Sequence, residues 1–277
     1  MLGFGSAAKA YCGAPPTPAS LVGRWNLDPI LITALLAILA VYCAGALRRR
    51  QAEGSIPAWR RIAFACGWTL GAAALVSPLC ALSVSLFSAR VAQHMILSLI
   101  AAPLIVLGKP ETTFAALWPR AFDRLPGSRR VQAAFGPTGS AAAFASALWI
   151  WHAPGPYDAT FSGPLIYWLM HITVFAAALM VWNILISTKP EGAVSALVVG
   201  AVSTLQMTFL GAIITLSPRP LYAPHVLTPY AWGLTQAADQ QLGGLIMWVP
   251  GCSIFLAVTL ATLARAMSEL AQPAALA

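Results

Sequence analysis

Seven stretches of this chain are apolar over a length that suits a helix in lipid: residues 29–47, 62–79, 91–108, 140–153, 164–187, 193–216 and 240–264. A helix needs about 20 such residues to cross the hydrocarbon core. Backbone polar groups there must be satisfied within the segment, so a helix is the expected state of each stretch. The fourth stretch is short and borrows from its flanks. Prolines and glycines mark the joins, at Pro57, Pro78, Lys109-Pro110, Pro154-Gly155-Pro156, Pro164, Lys189-Pro190 and Pro218-Arg219-Pro220. The pattern predicts an all-α polytopic membrane bundle of about seven transmembrane helices. Residues 1–28 read as an outer tail, 29–265 as the transmembrane domain and 266–277 as a cytoplasmic tail.

Composition agrees with that class. Hydrophobic residues make up 59% of the chain and charged ones 9%, against roughly 25% charged in a soluble domain, and the mean hydropathy is +0.76. The net charge of +8 does not point to nucleic acid, because the basic residues cluster in short joins between apolar stretches. Twelve of the 16 fall on one side: Arg48, Arg49, Arg50, Arg60, Arg61, Lys109, Arg120, Arg124, Arg129, Arg130, Lys189 and Arg265. Lys9, Arg24, Arg90 and Arg219 fall on the other. Basic loops stay in the cytoplasm, so the N-terminus is expected outside and the C-terminus inside. Residues 1–28 lack the apolar core of a signal peptide, with Lys9 interrupting them.

This orientation gathers all four histidines on the outer half. His94 opens the third stretch, His152 ends the fourth, and His171 lies seven residues beyond Pro164, about 10 Å along a helix. His225 falls in a Pro-rich outer loop and is expected to be a solvated side chain. Ionisable groups within membrane spans are costly and default to function, although a lone histidine can equally be an interhelical hydrogen-bonding residue. Gln93-His94-Met95 and Met170-His171 pair imidazole with thioether, a combination that suits Cu(I). Packing is the other reading of Met95, Met170, Met207 and Met247. Trp151-His152 also fits an interfacial belt. Asp239, before Gln240, is expected to cap its own helix or to orient a histidine ligand. Gln93, Asp158 and Gln240 are candidates for the same supporting roles. Gly243-Gly244 would admit a close neighbouring helix.

Of five cysteines, Cys43, Cys66 and Cys252 lie inside apolar stretches. Cys12 and Cys80 share the outer side, where a bridge or a soft-metal role is open. HExxH, GxSxG and the P-loop are absent, and intramembrane acids are nearly so. Hydrolysis and carboxylate-coupled pumping therefore lack support, and without a repeat or broken-helix pair so does transport.

Three blocks carry a resemblance. The first is Phe87-Ser88, Gln93-His94-Met95, Ala102-Pro103-Leu104 and Leu107-Gly108-Lys109-Pro110. The second is Trp151-His152-Ala153-Pro154 with Tyr157-Asp158 and His171. The third, and most specific, is Asp239-Gln240-Gln241-Leu242-Gly243-Gly244 with Met247-Trp248. Together they resemble the multispan CtaG-type cytochrome c oxidase assembly factors over residues 25–265. The resemblance implies a multi-pass protein of a bacterial inner membrane that is not an enzyme. It implies a part in equipping the catalytic subunit of a haem-copper oxidase with copper, with that subunit, a periplasmic copper donor and the lipid bilayer as partners. Transient Cu(I) would be held by His94, His152 and His171, with Met95 or Met170. The chain departs from the family pattern twice. Arg90-Val91 stands where HMxxHM would have its first His-Met, and Tyr167 and Met170 replace the His and Glu of HxxEH. An assembly scaffold that binds no metal, and a membrane haem protein using two of the histidines as axial ligands, are the alternatives.

Overall fold

A computed structural model describes residues 10–52, 54–118, 136–187 and 192–271. Lys9, Arg120, Arg124, Arg129, Arg130, Lys189, Pro190 and residues 272–277 lie outside the described residues. Among those described, the elements are helices without strands. In chain order they are α1 (Pro29–Ala52), α2 (Ala58–Val76), α3 (Pro78–Ser85), α4 (Phe87–Gly108), α5 (Pro110–Leu117), α6 (Pro137–His152), α7 (Pro154–Ala159), α8 (Pro164–Ser187), α9 (Ala193–Leu216) and α10 (Gln236–Ala271). Short 3-10 turns cover Ala223–His225 and Thr228–Trp232. Proline occupies the first turn of α3, α5, α6 and α7, where its missing N–H costs nothing and its fixed φ suits the helix.

Each of the seven apolar stretches is helical. Five helices are long and apolar enough to cross a membrane, and a sixth span results if α2 and α3, bent by 51°, are one. The bend falls at Ser77, whose hydroxyl accepts from the Leu79 amide and starts α3. The 16 residues of α6 rise only about 24 Å, short of a full crossing. Expected seven, the spans are thus five or six by length and composition. The described basic residues Arg48–Arg50, Arg60, Arg61, Lys109 and Arg265 lie at the end of the bundle away from the histidines.

Two packing features position the histidine end. Along α9 and α10, side chains on one helix press on glycines of the other. A Cβ on Gly244 would collide with Thr215, and one on Gly211 would come within 2.8 Å of Trp248. Gly243 performs the same service for Phe87 of α4, which is the close approach expected of that glycine pair. The second feature is a π-helical turn, Ile96–Ala101, inside α4. There the Ala102 amide bonds back to Leu97 and skips Ser98. The freed Ser98 carbonyl accepts from Trp182 Nε1 of α8 at 2.6 Å. This bond pins α4 to α8 one turn beyond His94, and π turns of this kind recur at functional sites.

Candidate functional site

His94 on α4 and His171 on α8 face each other across the helix interface. Their rings meet edge to face with centroids 5.0 Å apart, and they are 6% and 4% exposed. His171 Nδ1 lies 2.9 Å from the Tyr167 carbonyl. A carbonyl only accepts, so Nδ1 carries the proton and Nε2 presents a lone pair. That Nε2 is buried without a hydrogen-bond partner, and so is His94 Nε2. Buried polar atoms are nearly always paired, so two orphan nitrogens on touching rings form an unusual site.

The other predicted ligands are placed differently. His152, at the end of α6, turns Nδ1 onto its own Leu148 carbonyl at 2.8 Å. Its carbonyl accepts from the Tyr222 hydroxyl. Met170 is fully buried, with its sulfur 4.0 Å from a guanidinium nitrogen of Arg90. Met95 is buried in the core beside His94. No group of three His, Cys, Asp or Glu side chains able to hold a metal is found among the described residues. Direct ring contact thus joins His94 to His171, and among the described residues no such contact joins His152 to either.

Arg90 and Tyr167, the two departures from the family pattern, meet beside that pair. Arg90 lies one helical turn before His94 and Tyr167 one turn before His171, so each shares a helix face with its histidine. Arg90 is 2% exposed. Its guanidinium sits over the rings of Phe161 at 4.3 Å, Tyr157 at 5.3 Å and Tyr167 at 5.7 Å. One nitrogen donates to Thr160 Oγ1 at 2.7 Å, while Nε has no partner. Aromatic faces attract a desolvated cation, which accounts for an arginine in this interior. Tyr167 in turn packs on His171, with ring centroids 4.1 Å apart and planes tilted by 33°. Sequence alone identifies the substitution at Arg90; it does not identify the aromatic enclosure, whose members come from α7, α8 and the segment between them.

Two expectations are corrected. His225 is not a solvated loop side chain. It is 1% exposed, with Nε2 2.7 Å from the Tyr157 hydroxyl and Nδ1 3.3 Å from the Ser85 carbonyl. The carbonyl requires the proton on Nδ1, so Tyr157 donates to Nε2. Burial pushes this imidazole down to about 3, and pushes the neighbouring Tyr157 and Tyr222 phenols up. Asp239 does not cap its own helix; the Thr235 hydroxyl does, accepting from the Ala238 amide. The Asp239 carboxylate instead caps α4. It accepts from the amides of Phe87 at 2.7 Å and Ser88 at 3.1 Å, and from the Ser88 hydroxyl at 2.5 Å. The first amides of a helix lack intrahelical acceptors, and a carboxylate there also meets the positive end of the helix dipole.

The remaining supporting residues act on backbone rather than on histidine. Gln93 donates to the Ala74 carbonyl in the last turn of α2. Gln240 receives the Leu221 amide at 2.6 Å and donates to the Ile214 carbonyl. Asp158, on α7, is held up by burial in spite of a hydrogen bond from the Ala223 backbone. The segment from Tyr11 to Pro16 folds over the same end. Cys12 and Cys80 are joined by a disulfide, so the bridge is the state of this pair in the structure.

Among curated proteins, the uncharacterized protein Mb0105 of Mycobacterium bovis and the uncharacterized protein MT0111 of Mycobacterium tuberculosis are each 35% identical over 120 residues. The match covers 42% of this chain and only 18% of either relative. No solved structure matches the chain. A family model described as cytochrome c oxidase caa3 assembly factor matches residues 40–269. With that match across most of its helices, including His94, His152, His171 and Asp239, the chain belongs to the cytochrome c oxidase caa3 assembly factor family.

Proposed function

We propose that this protein assists assembly of a haem-copper oxidase in a bacterial inner membrane. In this reading it holds Cu(I) in transit at His94 and His171, near the outer face, and passes it to the oxidase catalytic subunit docked alongside. The observation that carries the reading is the pair of buried, unpartnered Nε2 atoms on touching rings. Two neutral imidazoles suit a soft monovalent cation. The Tyr167 carbonyl fixes the His171 tautomer, as backbone carbonyls do for metal-bound histidines. Few ligands suit transfer, because an acceptor can bind the ion before the donor lets go. The protein acts by binding and handing over, without catalysing a covalent reaction, and a periplasmic copper donor would load it.

A second reading, a scaffold that steadies the oxidase subunit without binding metal, is favoured by Arg90. Its fixed positive charge sits one turn from His94 and opposes a cation there. The haem reading is the weaker one, since rings 5.0 Å apart in edge-to-face contact leave no slot for a macrocycle between them.

The test is to delete the gene and assay haem and copper in the oxidase separately, then complement with His94→Ala, His171→Ala and the double variant. Copper transfer predicts an oxidase with haem but depleted copper, unrescued by the double variant. An oxidase with full copper in the deletion strain sinks the delivery reading. Rescue by a stably inserted double variant leaves the scaffold.

A further inference from the structure

A second sulfur-based feature adjoins the histidine pair. The Cys12–Cys80 disulfide lies against the Tyr167 hydroxyl, which is 3.4 Å from Cys12 Sγ and 3.7 Å from Cys80 Sγ. Asn26 Nδ2 points at Cys80 Sγ from 3.5 Å. From the sulfurs the order inward is Tyr167, then His171 at 4.1 Å between ring centroids, then His94 at 5.0 Å. Cys80 is fully buried, and Cys12 is partly exposed. The disulfide thus adjoins the hydroxyl of the tyrosine whose ring packs on His171.

We propose that Cys12 and Cys80 form a reducible port for Cu(I): closed as the disulfide, and open as a dithiol whose two sulfurs take up the ion beside Tyr167. The inference extends the copper reading above, since it supplies the entry step for the His94–His171 pair. Thiolates select Cu(I) over harder cations. Two sulfurs are too few for structural zinc, which takes four ligands, but satisfy a d10 monovalent ion that accepts linear coordination.

The charges also balance. One Cu(I) with two thiolates carries a single negative charge, and the Arg90 guanidinium lies 5.7 Å from the centroid of the Tyr167 ring, whose hydroxyl adjoins both sulfurs. A buried ion needs an opposite charge or hydrogen bonds. The same arginine that opposes a bare cation at the histidines would offset the bis-thiolate complex. The Tyr167 O–H and Asn26 N–H donors supply the polar contacts that thiolate sulfurs require.

Opening needs two electrons, and the reductant is an external protein dithiol. Its thiolate attacks the partly exposed Cys12 sulfur, breaking the Cys12–Cys80 bond and releasing Cys80 as a thiolate. The second thiol of the reductant then displaces Cys12, leaving the reductant as a disulfide and this chain as a dithiol. Two protons accompany the electrons, and Cu(I) binding releases them. The segment keeps its place after opening. Tyr11 stacks on Tyr167 at 4.7 Å and donates to Asp28 at 2.5 Å, while the Pro16 carbonyl accepts from Ser85 and Trp232.

The experiment uses the full chain in lipid nanodiscs, either oxidised or reduced with a dithiol reagent and desalted without oxygen. Cu(I) uptake is measured against a chromophoric chelator, and its ligands by X-ray absorption. Reduction should add about one equivalent of Cu(I) per chain with copper–sulfur scattering, as expected of a two-thiolate site. The Cys12→Ser/Cys80→Ser variant should lack that increment. Cys43, Cys66 and Cys252 are free thiols in both states, so the redox difference isolates the pair even if the double variant folds poorly. Equal uptake by oxidised and reduced protein, with no sulfur scattering, overturns the port and leaves a structural staple. The His94→Ala/His171→Ala variant separates this result from the histidine reading. Loss of copper–nitrogen scattering with the sulfur increment intact supports both sites, whereas a sulfur increment with no histidine-dependent signal in the wild type removes only the histidine site.

Discussion

His225 and His171 are both buried, 1% and 4% exposed, at the same end of one bundle, but their hydrogen bonding differs. Each nitrogen of His225 has a partner, one donated by Tyr157 and one accepted by Ser85. His171 spends Nδ1 on its own helix and leaves Nε2 bare against His94. The first arrangement is complete and ties a loop to two helices. The second is left incomplete beside a cleft that His171 lines together with apolar residues of α1, α2, α4 and α8. Burial is alike in the two histidines; what separates them is the count of satisfied nitrogens.

Removing Asp239, whose carboxylate caps α4 at Phe87 beside His225, should cost the most. Asp239→Ala strands two amides and a hydroxyl at the start of α4, with lost hydrogen bonds to a charged group and unsatisfied donors both contributing. Destabilisation of roughly 3–5 kcal/mol is expected, read as a fall in the midpoint of unfolding in detergent. Asp239→Asn keeps an acceptor and should lose less. Equal losses for Ala and Asn would mean that the carboxylate charge, not its hydrogen-bond geometry, holds the cap.

The next effect is a pH dependence. The His225 imidazole is held down to about 3 in the folded protein, below the ordinary histidine value near 6.5. The unfolded chain therefore binds more protons between these values, and stability falls as pH falls through that window. From pH 7 to pH 4 the loss attributable to this residue is about 3 kcal/mol. Asp158, pushed up by burial, acts in the opposite sense at the acid end. The informative quantity is thus the wild-type slope minus that of His225→Gln, and the variant should be the flatter. Identical slopes would mean that the loop opens to solvent and that the sealed half of the comparison fails.

Much of this architecture is legible in the chain. Every apolar stretch is a helix, and Gly243-Gly244 admits Phe87 and Thr215 as a close approach requires. The gathering of histidines at one end follows from where the stretches begin and end. What escapes sequence reading is contact between distant residues. The carboxylate of Asp239 is 152 positions from the Phe87 amide it caps, and no local pattern distinguishes that from a cap on its own helix. His225 sits in a segment rich in proline, which reads as exposed, while the aromatic residues that bury it come from α4 and α7. The Arg90 position can be recognised as unusual, but its aromatic enclosure exists only after α7 and α8 pack.

Arg90 and Tyr167 allow the open half to be sharpened. Arg90→His with Tyr167→His places two imidazoles at i and i+4 on each of two facing helices, a spacing that puts both on one face. It also removes the guanidinium charge. Cu(I) affinity should rise by at least about tenfold, or 1.4 kcal/mol, measured by chelator competition on oxidised protein so that the cysteines do not contribute. Unchanged affinity would indicate that His94 and His171 do not form the nucleus of a metal site.

A last variant tests whether the histidine pair depends on the π turn beneath it. Trp182 supplies the donor to the Ser98 carbonyl that the turn leaves free, and Ser98 Oγ donates to the carbonyl of His94 itself. Trp182→Phe keeps most of the ring volume and removes one N–H, so the loss in stability should be about 1–2 kcal/mol, the cost of stranding one buried carbonyl. Relief is available to the helix: Ala102 can bond to Ser98 in ordinary α register, at the cost of rotating the residues between His94 and Pro103. If that rotation occurs, the spacing of His94 and His171 changes and Cu(I) binding weakens more than stability does. His225, held by partners on α7 and at the end of α3, should not respond, and its pH dependence serves as the internal control. A variant that loses stability without altering copper binding would show that the turn merely packs α4 on α8, and that the imidazole pair is positioned by the helix ends alone.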